Sequence, residues 1–344
     1  MTSGSKQHFI PQFYMKRFAL SESDGHYRLF RIATGAFNRR ASIRGHAWET
    51  DFYGTEGLDD VLKPIESNAA RIIERAHVDN VLPKKGTSEF DYLVYFVASL
   101  KGRTKKAAEE LSAFMGAGIK NIMLQDSRLR ESMKDGSVRL TDSQVGSTVA
   151  ALQSAVHARN LGCKILRNPS AHPFVSSDSP VVSYNQFAEY RKIDFGATGF
   201  GWKGLQMFLP IGPNAMLMFY DDKMYKVGNR KDIEVGVSVA DVFVLNRLQI
   251  ANAEDLIYGS DGLDESYVRE QLQSVQSLRD RQRFEISTHE TDDPLSMLQV
   301  QKGKDIRINL SLSFAKMTDR ARSEPLQDFD MQLRDESIRY RRRR

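Results

Sequence analysis

Hydrophobic residues change their period near Gly162, and that change limits the folds open to the chain. Upstream, Leu58, Val61, Leu62, Ile65, Ala69, Ile72, Ile73 and Ala76 recur at spacings of three and four, which marks one face of a long α-helix. Pro83 and Gly86 end it. The same pattern predicts a second helix from about Ser88 to Phe114, with Phe90, Leu93, Val94, Val97 and Leu100 on its apolar side, and a third from Thr141 to Leu161 opened by a Thr or Asp cap. The polar stretch Gln125 to Gly136 between them reads as a loop. Downstream come short β-type runs at Lys164–Leu166, Phe174–Ser177, Val181–Tyr184, Met207–Leu209 and Met216–Tyr220, separated by Pro, Gly and Asn. Helical patterning returns at Val239–Tyr258 and Tyr267–Arg281, followed by weak strands at Met297–Val300 and Ile306–Leu312.

Ahead of the helices, Pro11 suits a first helical position. Tyr27–Ile32 and Phe37–Ile43 flank a Thr34-Gly35 turn as a hairpin. The reading is therefore α+β, an antiparallel sheet with a large helical insertion after a short N-terminal helix and hairpin. No internal repeat or low-complexity linker divides the chain. Residues 1–285 read as one mixed domain (helical over 57–161, strand-rich over 162–220, helical again over 239–281), and residues 286–344 as a weakly structured extension with a basic tail.

Composition narrows the setting more than the chemistry. The lone cysteine, Cys163, opens the apolar run Cys163-Lys164-Ile165-Leu166 and excludes an intrachain disulfide, which fits a reducing compartment and a buried structural thiol. The first residues lack the apolar stretch of a signal peptide, and no window approaches a membrane-spanning length. The expectation is a soluble, cytoplasmic protein with no membrane partner. The net charge of +5 comes from 49 basic and 44 acidic residues of interspersed sign, which permits a nucleic-acid partner without demanding one. Only Arg339-Tyr340-Arg341-Arg342-Arg343-Arg344 forms a basic block, and its plainest reading is a solvated tail.

The common catalytic signatures are missing: no Walker loop, no paired Cys-x-x-Cys, no His-Glu-x-x-His and no Gly-x-Ser-x-Gly elbow. Gly199-Phe200-Gly201-Trp202-Lys203-Gly204 lacks the strand-to-helix context of a dinucleotide loop. Arg71 and His77 stand six apart, as in the Arg-to-His motif of helical ribonucleases, but six residues turn a helix by about 240° net and part the two side chains. They read as helix-surface residues.

Two segments carry more chemistry. In His8-Phe9-Ile10-Pro11-Gln12-Phe13-Tyr14-Met15-Lys16-Arg17-Phe18, polar groups are packed between aromatics. His8 suits general acid–base work near neutral pH, and Gln12 or Tyr14 suits orienting a phosphate or a water. The bland reading is that the aromatics dock this segment and His8 is a hydrogen-bonding partner. In Phe174-Val175-Ser176-Ser177-Asp178-Ser179-Pro180-Val181-Val182, strand-like runs flank a polar corner where Asp178 is a base, a metal ligand or an Asx turn.

At these residues the chain resembles domain-of-unknown-function family 4238, a mainly bacterial group. His8, Pro11, Tyr14 and Phe18 fit its opening pattern, and Phe174, Val175, Ser177, Asp178, Pro180 and Val181 fit its later one. Asp51-Phe52-Tyr53, Glu66, Arg103-Thr104, Leu209-Pro210-Ile211-Gly212-Pro213 and Asn246 extend the similarity over about residues 6 to 260. The chain departs from the family at Leu100-Lys101, where Gln is common, and at Ser179, where Asn is common.

The resemblance groups the chain without naming a reaction. The functional expectation is an enzyme acting on a phosphate-bearing substrate, a nuclease for example. His8 and Asp178 are its expected catalytic residues. Gln12, Tyr14, Arg103 and Asn246 are expected to bind substrate, with Lys16 and the Arg103-Thr104-Lys105-Lys106 cluster adding positive potential. Mg²⁺ or Mn²⁺ is the cofactor such chemistry would use. The competing expectations are a non-catalytic module binding a nucleotide, nucleic acid or protein, and a purely structural network in which Glu66 pairs with Arg103.

Overall fold

The computed structural model describes residues 6–21, 24–50, 57–193, 196–279, 284–288, 298–302, 305–323 and 333–335. The basic block at the end of the chain and Asp51-Phe52-Tyr53 lie outside them. Among the described residues no helix is long and apolar enough to cross a membrane.

The chain opens with β1 (Lys6–His8) and the single-turn helix α1 (Gln12–Met15). The hairpin follows as β2 (His26–Arg31) and β3 (Ala36–Ser42), and β4 (Trp48–Thr50) returns antiparallel to β1, pairing His8 with Trp48. The β1–β4 pair has no signature in the sequence, because its strands are three residues each and lie some forty positions apart. The helical insertion is α2 (Leu58–Val78), α3 (Ser88–Gly102), α4 (Lys105–Gln125), α5 (Arg130–Met133) and α6 (Ser143–Ser154).

Three boundaries here differ from the sequence reading. The helix expected over Ser88–Phe114 breaks at Arg103–Thr104, because Thr104 turns extended and its side chain accepts the Ala107 N–H to cap α4. The polar stretch after Gln125 contains α5. The helix expected to reach Leu161 ends at Ser154 and passes into a 3₁₀ turn.

Beyond Gly162 the strands fall into two principal sheets. They run β5 (Gly162–Arg167), β6 (Ser176–Ser177) and β7 (Val182–Tyr184), then the short α7 (Gln186–Tyr190), β8 (Gln206–Gly212), β9 (Ala215–Tyr220), β10 (Tyr225–Val227) and β11 (Glu234–Gly236). After α8 (Val239–Asn252), β12 (Leu256–Gly259) and α9 (Glu265–Arg279) come β13 (Phe284–Thr288), β14 (Leu298–Lys302) and β15 (Ala315–Met317). The five-stranded sheet has the order β11-β5-β9-β8-β7, antiparallel except for the parallel β11–β5 pair, and the four-stranded sheet has the order β3-β2-β12-β6. The fold is α+β.

Residues Ile306–Leu312, expected as a strand, are irregular, although Ile306, Leu310 and Leu312 are buried. The helix expected over Val239–Tyr258 also stops short, at Asn252. The amides of Glu254, Asp255 and Leu256 bond to the Asp178 carboxylate instead of continuing the helical ladder, and Tyr258 enters the four-stranded sheet.

Side chains alternate across the five-stranded sheet to fill two cores. Met207, Leu209 and Ile211 of β8, with Leu217 and Phe219 of β9, pack with Ile65, Ile72 and Ile73 of α2 and Phe90, Leu93 and Val97 of α3. Phe208, Met216 and Met218 point the other way, into a core shared with Val242, Leu245 and Leu248 of α8 and Val268 and Val275 of α9. Both faces are covered, so both must be apolar. Cys163 lies half-buried in β5, and burial pushes its thiol far above the usual range, as a structural cysteine requires.

Candidate functional site

The two motif segments meet through hydrogen bonds that tie the sheets together. Pro11 fixes the entry to α1, and its carbonyl accepts the Tyr14 and Met15 amides. Tyr14 is thereby turned fully inward. Its hydroxyl donates to the Pro210 carbonyl at 2.6 Å and lies 3.0 Å from Ser176 Oγ, which in turn reaches Tyr258. Burial drives the Tyr14 hydroxyl well above its ordinary pKa, so it remains a neutral donor. Tyr14 thus pins α1 to β8 and β6, facing protein and not solvent.

Residues 178–181 carry the chain from β6 in the four-stranded sheet to β7 in the five-stranded one. Asp178 holds this crossing. Its carboxylate accepts the Glu254, Asp255 and Leu256 amides at 2.8, 2.8 and 2.9 Å, while its own amide donates to the Leu256 carbonyl. Burial raises the Asp178 carboxyl pKa, and the three amide donors act against that shift. Ser177 Oγ accepts the Ser179 amide and the Gln249 side chain, and Asn252 Nδ2 donates to the Ser179 carbonyl at 2.8 Å. Asn246, on α8, grips the preceding residues: Oδ1 accepts the Val175 amide at 3.0 Å and Nδ2 donates to the Pro173 carbonyl at 2.9 Å. Its polar atoms hold backbone.

Arg103 is wholly buried at the end of α3, where Nη1 pairs with Glu66 Oε1 of α2 at 2.5 Å. Beyond it, Lys105 and Lys106 begin α4. The Lys106 amide donates to Glu254 Oε2 at 3.1 Å, and the Lys105 ammonium sits 5.9 Å from the centre of the Phe9 ring. On the N-terminal segment Gln12 Nε2 and His8 Nε2 are 3.3 Å apart, so a His8 with its proton on Nδ1 accepts from Gln12.

A pocket of about 320 Å³ opens among these elements. Asp178, Phe9 and Lys105 reach it, together with Arg31, His46 and Trp48. Of the expected site residues, only Asp178 lines the pocket; His8 and Gln12 do not, although His8 directly precedes the lining residue Phe9. Tyr14, Arg103 and Asn246 do not line it. Among the described residues no group of three or more His, Cys, Asp or Glu side chains is arranged to hold a metal ion.

Trp48, His46 and Arg31 line the pocket without belonging to either motif segment. Trp48 becomes visible only once β4 is known to pair with β1, and Arg31 is placed by its ion pair with Asp255 at 2.5 Å, a partner 224 positions away.

No curated protein and no solved structure matches the chain. A family model matches residues 6–262, well over half of the sequence, spanning both motif segments, the helical insertion and both principal sheets. The chain belongs to the family described as Protein of unknown function (DUF4238).

Proposed function

We propose that the pocket beside Trp48 receives a phosphate-bearing ligand of nucleotide size, and that His8 handles a proton in a reaction upon it. The observation that carries this reading is the composition of the pocket wall. Lys105, Arg31 and His46 line it with Phe9 and Trp48, and the three carboxylates on the same wall are engaged, Asp178 by backbone amides, Asp255 by Arg31 and Glu254 by the Lys106 amide. Cations beside aromatic faces are the pairing that takes up a phosphate together with a planar base. The beginning of the 21-residue helix α4 adds positive potential on the Lys105 side. A volume of about 320 Å³ is at the small end of the range for ligand pockets. In this reading Gln12 fixes the His8 ring, and Asp178 shapes the wall without reacting.

A second reading, binding without turnover, is favoured by one observation: the Asp178 carboxylate is already occupied by three backbone amides.

One screen separates the two. Purified protein is offered RNA, single- and double-stranded DNA and nucleotides, with and without Mg²⁺ or Mn²⁺, beside His8→Ala and Lys105→Ala. The proposal expects turnover that disappears in His8→Ala, with the binding of mononucleotides weakened roughly tenfold in Lys105→Ala. Binding without turnover on every substrate selects the second reading. Neither binding nor turnover on any of them rejects both.

A further inference from the structure

A second concave surface shares no residue with that pocket. It is a groove of about 920 Å³ between α1, α2 and the start of α3, walled by Lys16, Arg17, Arg71 and Arg75 against only Glu74 and Glu89. The helix period explains the wall. Ile65, Ala69, Ile72, Ile73 and Ala76 take one face of α2 into the core and leave Arg71 and Arg75 on the other.

The two carboxylates are already used. Glu74 accepts from Arg17 Nη1 at 2.7 Å, while Arg17 Nε donates to the Ile211 carbonyl at 2.5 Å, and Glu89 pairs with Arg75. Two guanidinium groups are therefore held in place. Lys16 and Arg71 are exposed, and Arg71 donates to the neutral Asn68 amide oxygen at 2.7 Å. Phe13 and Tyr92, both half-buried, complete the wall.

We infer that this groove binds a single-stranded nucleic acid, its phosphates on Lys16 and Arg71 and its bases against the aromatic wall. An open, cation-lined track with aromatic faces is how sequence-tolerant strand binding is built. The inference stands independently of the pocket beside Trp48.

The test is fluorescence anisotropy of labelled oligo(dT) and oligo(U), about ten nucleotides long, titrated at several salt concentrations. Wild-type protein is compared with Lys16→Ala/Arg71→Ala and with Lys105→Ala in the pocket. Both groove residues are exposed, so the double variant should melt like the wild type. It should bind at least tenfold more weakly, and the slope of log K against log salt should shrink by about 1.4, about 0.7 for each phosphate that is no longer neutralised. Lys105→Ala should leave both quantities unchanged.

The inference is overturned if wild-type protein does not bind the strand, or if the double variant keeps its affinity and salt slope. It is equally overturned if Lys105→Ala alone removes binding, because the strand then lies in the pocket. Inorganic polyphosphate of equal phosphate number is the last arm. Equal affinity for it would overturn the nucleic-acid assignment, since the aromatic wall would then contribute nothing.

Discussion

Asp178 accepts the amides of Glu254, Asp255 and Leu256 and is almost wholly removed from solvent. Replacing it with Ala would leave three buried donors without an acceptor. The expected loss is about 3 kcal/mol, read from chemical denaturation; an unchanged midpoint would mean that water fully replaces the carboxylate. The Ser-Asp-Ser-Pro corner is visible in the sequence as a turn with chemical potential. Its partners are not, because they lie 76 to 78 positions away, in a stretch that the sequence reads as the end of a helix. A second residue-scale expectation concerns His77. Its ring packs so closely on Gly212 that a Cβ there would lie 2.7 Å from Cε1, and its Nδ1 is buried without a hydrogen-bond partner. Burial first, then Arg17 and Arg167, lower its pKa to about 4, with Glu74 pulling the other way. The unfolded chain takes up this proton near 6.5 and the folded chain only near 4. Stability due to neutral His77 is thus complete above about pH 6.5 and is lost as the pH falls through about 4. Against His77→Gln, the wild-type advantage in melting temperature should shrink steadily across that window. An advantage that does not change with pH would show that His77 titrates normally.

At the scale of elements, α3 and α6 meet at Gly102. A Cβ at that position would lie 2.5 Å from the Ala151 Cβ and 2.8 Å from the Ser147 carbonyl oxygen. In an exposed helix, Gly→Ala gains about 1 kcal/mol. Here the sign should reverse, because neither a backbone oxygen nor a packed helix moves aside cheaply. Gly102→Ala is expected to destabilise by about 1–3 kcal/mol, and a stabilised variant in thermal melts would show that α6 is free to shift. The helices themselves are legible, since an apolar face repeated over five turns leaves few alternatives. The break at Thr104 is not. The apolar spacing continues past it, and the local cap that wins there costs the core nothing. Thr104 opens α4 directly after the Arg103–Glu66 pair, and so it also aims Lys105 at Phe9.

For the molecule as a whole, the decisive fact is that each sheet supplies both cores. In β8, Phe208 and Leu209 are neighbours in sequence and serve opposite cores, and in β12 Ile257 and Tyr258 do the same. Losing one core would strip a face from both sheets at once. The strand-rich half is readable as strands, but its division into two sheets depends on where residues 178–181 cross between them, which periodicity does not encode. Shared cores make a sharp expectation for unfolding. Leu209→Ala and Phe208→Ala should each cost about 2–5 kcal/mol, and each should lower one common calorimetric transition. If the cores were separate units, one variant would shift only part of the heat absorption and leave a second peak where the wild type melts. A single displaced peak in both variants would mean that the pocket at the sheet crossing and the groove on α2 rest on one cooperative frame, so a ligand held at either site would stabilise both sheets.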